Sequence, residues 1–522
     1  MPGTAQSPHK ENKEIELKLE LAPADLTTLR KIPLLRSVRP MPKGSTQVSV
    51  YFDTDKQKLR KKGLMLRVRR DGRRFTQTIK ATGHGGNFER DEWEAQIAGN
   101  EPDLDRAHGT ALGAVLTKKL RHGLKPVFET RVRRTVYPLV HNDHAIALTV
   151  DQGTIDTGKQ SLPLCEIELE LERGNAADLF DVAHKLTQAL PARLVVRSKS
   201  ERGYEILDGE QEMPVKAASI DLHVGVSARE AFKTIGFACL SQVINNEPAL
   251  IRGDPEGVHQ MRVGLRRLRA AVSLFAAFLH DRETAAIKNE LKWLGGELGP
   301  ARELEVLVNR VFAPMKRHRR RWRGMPSLSQ EFAERRDAAV ARAQEAVQTA
   351  RFRALTLDLE IWLEAGMWTD PQDDLVRSRG DLPIEVFASE QLARRWRKVR
   401  KKGRALAQLD ARGRHKLRIQ TKKLRYAAEF FAALFTTRRA PKRRKRFLPA
   451  LERLQDGLGD LNDIAVHEKR IAAMGVRRRP SNPSRVFAAG LLTGREEARK
   501  EATLKLATEA YADLAKVKPF WR

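Results

Sequence analysis

The 522-residue chain has only two cysteines, few aromatic residues and no long apolar run. Cys165 and Cys239 cannot form the disulfide framework of a small secreted domain, so we expect a reducing compartment. The first ten residues lack the apolar segment of a signal peptide, and no stretch approaches eighteen apolar residues. We therefore predict a cytoplasmic protein without a membrane span.

The scarcity of aromatic residues bears on nucleic-acid binding. The chain holds 5 Tyr and 7 Trp, and its basic segments are not interleaved with aromatic side chains. Proteins that bind single strands commonly stack bases on such side chains, so a dedicated nucleic-acid site is not expected. Cationic surfaces would still bind RNA weakly and without sequence preference at low salt.

What the chain has in excess is positive charge, with a formal net of +31. Residues 1–210 hold 35 basic and 29 acidic side chains, whereas the remaining 312 residues hold 62 and 37. The C-terminal part therefore carries most of the field that would attract a polyanion. Charge alone does not distinguish polyphosphate from nucleic acid or from an anionic membrane.

The length predicts two or three domains, and the hydrophobic pattern changes once along the chain. Up to about residue 205, short alternating segments predict strands, with helices over 23–30, 103–121 and 176–190. Hairpin turns are predicted at Asp71-Gly72 and at Asp151-Gln152-Gly153. From about residue 227 the pattern is helical throughout, including one long amphipathic stretch over 328–366.

These patterns predict an α+β chain whose parts follow one another. The expected order is a disordered N-terminus over 1–11, a first domain over 12–205, a linker over 206–218 and a helical domain over 219–515. The helical domain is expected to contain two repeats, over about 219–370 and 380–515.

The alternating segments gather charged side chains on one face of each strand. The acidic set is Glu14, Glu16, Asp151, Glu166, Glu168 and Glu170. The basic set is Lys18, Arg67, Arg69, Lys80, Lys199 and one or more of Arg131, Arg133 and Arg134. The pattern fits the wetted face of an open sheet, and it fits the polar interior of a closed barrel.

Inside one cavity, the two sets would have complementary chemistry. The cations would clamp a phosphate chain, and the carboxylates would hold Mg²⁺ or Mn²⁺ against it. Hydrolysis of a phosphoanhydride then needs positioning, charge neutralisation and an oriented water, without a covalent nucleophile. The sequence contains no Walker A loop and no Cys/His metal-binding spacing.

The helical part repeats one basic pattern. The two copies are His259, Arg262, Arg266 and Arg269, and then His415, Arg418, Lys422 and Arg425. At 100° per residue these offsets span about 80° of a helix, so each copy forms one stripe. A Leu-Gly pair follows each copy about forty residues later, and then an acidic position, Glu303 or Asp463. Each histidine could instead be a capping or packed residue, but its recurrence favours a site.

The order of the charged motifs over residues 12–205 resembles the CYTH family, the triphosphate tunnel metalloenzymes. Glu14-Ile-Glu16-Leu-Lys18 looks like its Glu-x-Glu-x-Lys signature. The resemblance implies an antiparallel β-barrel tunnel with flanking helices that cleaves a triphosphate with a divalent metal. Implied catalytic residues are Glu14, Glu16 and Lys18. Implied metal ligands are Glu14, Glu16, Asp151, Glu168 and Glu170. Implied phosphate-binding residues are Lys18, Arg67, Arg69, Lys80, Arg134 and Lys199, with Arg134 chosen because the family places an aromatic, here Tyr137, three residues later.

Residues 220–515 resemble the CHAD domain, whose hallmark is the repeated basic helix. The resemblance implies an all-α domain of two helical bundles that binds inorganic polyphosphate through the two stripes. The first copy departs from the family at Arg302-Glu303, where an Arg-Asp pair is typical; the charges are preserved.

We therefore predict a metal-dependent inorganic triphosphatase fused to a polyphosphate-binding domain, expected in the cytoplasm and on polyphosphate granules. One alternative keeps the tunnel but acts on an organic triphosphate, as a thiamine triphosphatase or an adenylate cyclase. The other is a non-catalytic polyphosphate-binding protein of granules. The full acidic set favours an enzyme over this second alternative.

Overall fold

The computed structural model describes residues 16–41, 46–81, 91–141, 143–209, 213–313, 324–475 and 483–521. Glu14, one of the predicted acidic residues, lies outside these ranges. The chain divides into two compact units. The first comprises Met1–Met213 and Gln348–Ala365, and the second comprises Pro214–Val347 and Gly366–Arg522.

The first unit is built on the antiparallel strands that the alternating sequence predicts. They are β1 Glu16–Glu20, β2 Gln47–Asp53, β3 Leu64–Asp71, β4 Arg74–Ala81, β5 Asp91–Ile97, β6 Lys125–Val140, β7 Ala145–Asp156, β8 Ser161–Arg173 and β9 Arg193–Leu194. They form one sheet in the order β5-β4-β3-β2-β6-β7-β8-β1-β9.

The closed barrel is not confirmed. Backbone pairing among the described residues leaves β5 and β9 at the two ends of an open sheet. A barrel closes when its first and last strands pair, and β9 offers only two residues, both already paired with β1. The fold is therefore α+β, with an open antiparallel sheet followed by an all-helical region.

One face of the sheet is apolar because alternate side chains point the same way. In β3, Leu64, Leu66 and Val68 are buried. They share a core with Phe52, Leu59, Ile79, Ala107, Leu112 and Leu120. Burying one large apolar side chain contributes about 1.5–3 kcal/mol. Burial of this face sends the intervening Arg67 and Arg69 to the opposite face of the sheet.

Two local predictions in this unit are wrong. Most of the expected helix over 103–121 is short turns, with 3-10 segments at Leu104–Ala107 and Gly113–Val115, and an α-helix begins only at Lys118. The hairpin expected at 151–153 does not form, because β7 continues through it. A Cβ at Gly153 would lie 1.8 Å from the carbonyl oxygen of Arg131, so this glycine permits close strand pairing and makes no turn.

The turn at Asp71-Gly72 is confirmed: β3 ends at Asp71, β4 begins at Arg74, and Gly72 has a φ of 60°. The helices of this region are α1 Leu26–Leu29, α2 Pro33–Arg36, α3 Lys118–Gly123, α4 Ala176–Ala189 and α5 Lys199–Asp208. Asn175 caps α4 through a capping box.

The rest of the described chain is helical, as predicted. Its helices are α6 Ala228–Ile244, α7 Glu247–Ile251, α8 Pro255–Leu274, α9 Arg282–Leu307, α10 Met325–Gln348, α11 Ala350–Ala365, α12 Asp374–Gly380, α13 Ile384–Gly403, α14 Ala411–Phe430, α15 Ala440–Gly475 and α16 Pro483–Lys516. None of the helices in the described residues is both long and apolar enough to cross a membrane.

The stretch 328–366, which the sequence suggests is one pattern, forms two helices that belong to different units. α10 belongs to the helical unit, whereas α11 belongs to the sheet unit and packs against α4. There, His184 Nε2 lies 3.4 Å from Asp358 Oδ1. The domain limits drawn from the sequence place this segment in the first helical repeat, and they stay a prediction.

Candidate functional site

Strand register assembles the polar face of the sheet. Directly opposed residues of antiparallel strands share a face, and Lys18 of β1 lies opposite Glu168 of β8. On the next strand, Asp151 of β7 lies opposite Glu166. Arg134 of β6 is in turn opposite Asp151. Four adjacent strands thus bring these five charged residues onto one continuous surface.

Glu168 lies between three cations, and its side chain is only 10% exposed. Its Oε1 accepts from Lys18 Nζ at 2.8 Å and from Lys199 Nζ at 2.7 Å. Its Oε2 accepts from Arg134 Nη2 at 2.7 Å. Burial alone would raise the pKa of this carboxyl, but the three cations outweigh it and hold the pKa well below its usual range. Glu168 is therefore ionised at neutral pH.

Lys199 reaches the same carboxylates from the first turn of α5. Ser198 and Glu201 form a capping box that fixes where this helix begins and so where Lys199 projects. Its Nζ lies 2.8 Å from Asp151 Oδ2 and 2.7 Å from Glu168 Oε1. Burial would lower the pKa of Lys199, but the carboxylates raise it well above its ordinary value. The sheet-face site, as we call it, comprises Lys18, Arg134, Asp151, Glu166, Glu168 and Lys199.

Three buried carboxylates of this site could share one cation. Asp151, Glu166 and Glu168 each place an oxygen within 4.8 Å of the others. Lys199 and Arg202 make ion-pair contacts with Glu166, yet neither Glu166 oxygen accepts a hydrogen bond of normal geometry from the described residues. Three buried carboxylates this close together repel one another, and a bound cation would relieve that repulsion. Because hard divalent cations prefer carboxylate oxygens, this set of donors fits such an ion.

A second charged group lies on β3, β4 and β5, where each predicted cation has a carboxylate neighbour. Arg67 Nη2 lies 3.8 Å from Glu94 Oε1, and Arg69 Nη2 lies 3.4 Å from the same atom. Lys80 Nζ lies 2.6 Å from Glu92 Oε2. Nε of Arg67 is buried and has no hydrogen-bond partner among the described residues.

The sequence leaves open which of three arginines on β6 faces the site, and the structure places Arg134 there. Its guanidinium forms two hydrogen bonds with Asp151, at 2.8 and 2.6 Å. Arg131 and Arg133 are exposed on the opposite face of the strand, and Arg133 donates to Gln152 at 2.9 Å. The outward arginines are one residue out of phase with Arg134, as strand alternation requires.

The other predicted carboxylates lie toward one end of the same face. Glu16 is half-buried, with Oε1 2.7 Å from Lys18 Nζ, and it lies opposite Glu170 in the β1–β8 register. Glu170 is half-buried and is not part of the three-carboxylate group, in which Glu166 stands instead.

The sequence does not single out Arg202, which also adjoins the site. Its Nη1 lies 3.5 Å from Glu166 Oε2 and its Nη2 lies 3.2 Å from Glu20 Oε1. The signal available was its spacing, because Arg202 follows Lys199 by three residues on α5 and so shares its helix face. Glu92 and Glu94 were missed as well, although they alternate on β5.

In the helical unit, the two predicted basic stripes lie on α8 and α14, which pack against each other. Arg262 and Arg266 belong to α8, and Arg418 and Lys422 belong to α14. Burial lowers the pKa of Lys422 to about 7, assisted by Arg418, Arg266 and Arg262. These four residues of the two packed helices are called the helical cation cluster.

The helical cation cluster holds unused hydrogen-bond donors. Three guanidinium Nε atoms are buried and have no hydrogen-bond partner among the described residues, those of Arg262, Arg266 and Arg418. A Cβ at Gly299 would lie 3.1 Å from Arg262 Nη1, so the glycine of the Leu-Gly pair leaves room for this guanidinium. A buried, donor-rich group of like charges is a fitting receptor for an anion with many oxygens.

The other four residues of the stripes differ in their surroundings. His415 is exposed, whereas His259 is half-buried and burial lowers its pKa. Arg269 is exposed. Arg425 is half-buried and donates to Glu429 at 2.7 Å, so its charge is already balanced.

Two family models match the chain in succession. The CYTH domain matches residues 12–204, and the CHAD domain matches residues 234–472. The chain therefore carries a CYTH domain followed by a CHAD domain. Both resemblances drawn from the motifs are thereby confirmed.

Individual proteins resemble parts of the chain. An inorganic triphosphatase from Haemophilus influenzae is 31% identical over 198 residues, which span 37% of this chain and 54% of that protein. The chain thus spans about half the length of this curated relative.

Solved structures also match. The CHAD domain from the plant Ricinus communis is 27% identical, covering 58% of this chain and 97% of that chain, with a TM-score of 0.49. PptA from Streptomyces chartreusis is 15% identical, covering 55% and 99%, with a TM-score of 0.41.

Proposed function

We propose that the sheet unit is a divalent-metal-dependent hydrolase of inorganic triphosphate or a related short-chain triphosphate. The observation that carries this proposal is the sheet-face site itself, where three buried carboxylates and three cations lie in mutual contact. Its CYTH domain and its similarity to an inorganic triphosphatase support the same reaction class.

In this proposal the cations bind phosphate oxygens. They are Lys18, Arg67, Arg69, Lys80, Arg134 and Lys199. Each now faces a carboxylate, so the substrate would exchange one anionic partner for another and leave few charges uncompensated. Arg134 and Lys199 already touch the three-carboxylate group, and they would hold the phosphate next to the metal ligands.

The carboxylates have the complementary role. Asp151, Glu166 and Glu168 would hold the metal ion, with Glu16, Glu170 and Glu14 as the further proposed ligands. When bound, Mg²⁺ or Mn²⁺ supplies charge neutralisation and polarises a phosphoryl oxygen. The carboxylates of the site also orient the attacking water by accepting its hydrogen bonds. Glu14, Glu16 and Lys18 are the proposed catalytic residues.

We also propose that the sheet curls into a tunnel around its substrate. Five strand spacings of about 4.8 Å would separate β4 from β8 by about 24 Å in a flat sheet. A single short phosphate chain cannot touch Lys80 and Glu168 across such a distance. The sheet-face site and the charged residues on β3, β4 and β5 can bind the same substrate only if the sheet bends and brings them together.

For the helical unit we propose binding of inorganic polyphosphate, with the helical cation cluster at its centre. Three buried guanidinium donors without partners favour this function. The whole proposed set adds His259, Arg269, His415 and Arg425 to the four cluster residues. Such a unit would hold the enzyme on polyphosphate, in the cytoplasm or on granules, and raise the local substrate concentration.

The experiment is phosphate release from tripolyphosphate, ATP and thiamine triphosphate by the full chain, with Mg²⁺ or Mn²⁺. We expect tripolyphosphate to be the best substrate and Glu14→Gln/Glu16→Gln to lose most of the activity. A preference for ATP or thiamine triphosphate would show that the sheet unit acts on an organic triphosphate instead. If none of the three is cleaved while polyphosphate binds, the protein is a binder and the proposed hydrolysis is wrong.

A further inference from the structure

A second group of cations lies on α13, around a buried arginine. Arg395 is 6% exposed, and its Nε is buried without a hydrogen-bond partner among the described residues. Its Nη2 donates to the carbonyl of Ser273 at 3.3 Å. Burial and the adjacent Arg394 lower the pKa of Arg395 to about 10. A buried guanidinium normally faces a carboxylate, and within the described chain this one forms no ion pair.

The neighbours of Arg395 add to its charge. Lys398 follows it by three residues on α13 and so lies on the same side of that helix. Lys423 belongs to α14, which packs against α13, and burial together with the charges of Arg395 and Lys398 lowers its pKa. In the parts of the chain that the structure describes, neither lysine has an ion-pair partner. Arg394, the exposed fourth member, donates to the amide oxygen of Gln391 at 2.6 Å.

A purely structural role for Arg395 explains part of this arrangement. Ser273 is in the last turn of α8, where carbonyls lack intrahelical donors, and Arg395 satisfies one of them. That contact occupies one of the five N–H groups of the guanidinium. It gives no reason for collecting three further cations around a residue that is already costly to bury.

We propose that Arg394, Arg395, Lys398 and Lys423 form a second anion-binding site, the α13 site, which takes a further stretch of the same linear polyphosphate. This proposal rests on polyphosphate binding by the helical unit. Lys423 is next to Lys422 in sequence but 100° away around α14, so the α13 site and the helical cation cluster lie on different sides of this helix. One chain of phosphates can therefore pass around α14 and contact both.

Two sites on one helix favour a ligand that is long enough to occupy both. Lys422 and Lys423 project from α14 in directions 100° apart, so the phosphates bound at the two sites are separate groups of the ligand. A long polyphosphate bound at one site presents itself to the other at high effective concentration.

The test is the affinity of the full chain for long-chain polyphosphate as a function of salt. Lys398→Gln/Lys423→Gln removes two charges from the α13 site. Arg397→Gln/Arg400→Gln removes two exposed charges that lie about 140–160° from Arg395 around α13, and it is the matched control. We expect the first variant to bind polyphosphate about tenfold or more weakly than wild type does. The number of counterions released on binding, taken from the salt dependence of the affinity, should fall by roughly 1–2. The control should stay within about twofold of wild type. Lys398 is exposed, so Lys398→Gln alone gives the same direction of change without a risk to folding.

Equal affinity and equal salt dependence in the two double variants would overturn the α13 site while leaving polyphosphate binding intact. A third variant, Arg262→Gln/Arg418→Gln, tests the helical cation cluster separately. If only this variant loses affinity, the cluster is the sole site and the α13 proposal is wrong. If wild type itself does not bind polyphosphate, both the proposed function and the α13 site fail.

Discussion

Lys422 provides the sharpest prediction, because its charge depends on its crowded surroundings. It is half-buried in the helical cation cluster, where burial and three arginines lower its pKa from 10.5 to about 7. A bound polyanion would reverse that effect by supplying negative charge. Binding should therefore be accompanied by proton uptake at Lys422 whenever the pH lies above about 7.

The sign and size of the effect follow from linkage. Between pH 7 and 10.5 the free protein binds fewer protons at Lys422 than the complex does, so affinity rises as the pH falls. One linked proton gives at most about tenfold per pH unit. Because Lys422 is partly exposed to screening solvent, we expect roughly tenfold in total between pH 9.5 and 7.

The stability of the folded helical unit depends on pH in the opposite direction to its affinity for polyphosphate. A lysine whose pKa is lowered by folding binds its proton more tightly in the unfolded chain than in the folded one. The helical unit should therefore lose stability as the pH falls from 10.5 toward 7, and polyphosphate should restore it.

The assay is polyphosphate affinity from pH 7 to 9.5 at fixed ionic strength. Lys422→Arg stays charged throughout and should bind with a flatter pH profile than wild type. Lys416→Arg changes an exposed lysine on the same helix and is the matched control. If wild type and Lys422→Arg have the same pH profile, Lys422 does not take up the proton and the reasoning is refuted.

Three further predictions concern the sheet unit. Arg134→Gln should reduce kcat/KM for tripolyphosphate by about 100-fold or more, whereas Arg133→Gln should leave it within about threefold; equal losses would remove Arg134 from the site. Glu168→Gln should destabilise the unit by about 1–3 kcal/mol at pH 7, because it removes the carboxylate shared by Lys18, Arg134 and Lys199, each of which keeps one other carboxylate neighbour. The stability that ionised Glu168 provides is present above its unfolded pKa, near 4.5, and is lost as pH falls through its depressed folded pKa, so a pH-independent loss in urea unfolding would count against this account. Gly153→Ala should cost about 1–3 kcal/mol or more by overpacking, and Gly99→Ala, where nothing lies within 4 Å, should cost much less in the same urea titration.

The sequence predicted the composition of the site better than its assembly. Alternation placed Lys18 and Glu168 each on the charged face of its own strand, and register then made them direct neighbours. Alternation could not choose between Arg134 and its outward neighbours, because the phase of one strand relative to the next is set by pairing. The three-carboxylate group contains Glu166 and not Glu170 for the same reason. The strand register places Glu166 opposite Asp151.

Tertiary contacts account for what the sequence pattern alone could not reveal. Gly153 looks like a turn residue, but its missing side chain serves the close approach of Arg131. The periodicity of 328–366 identifies helical residues without revealing which partner covers them, so α11 could not be assigned to the sheet unit. The closeness of the two basic stripes also required the packing of α8 on α14, which neither helix specifies alone.

The most direct test of the central claim is phosphate release from inorganic tripolyphosphate by the full chain, measured with Mg²⁺ or Mn²⁺ and again after chelation. We expect release that requires the metal, is lost in Glu168→Gln and survives in Glu172→Gln, which changes an exposed residue of the same strand. Release that persists both after chelation and in Glu168→Gln would show that the sheet-face site is not where the triphosphate is cleaved.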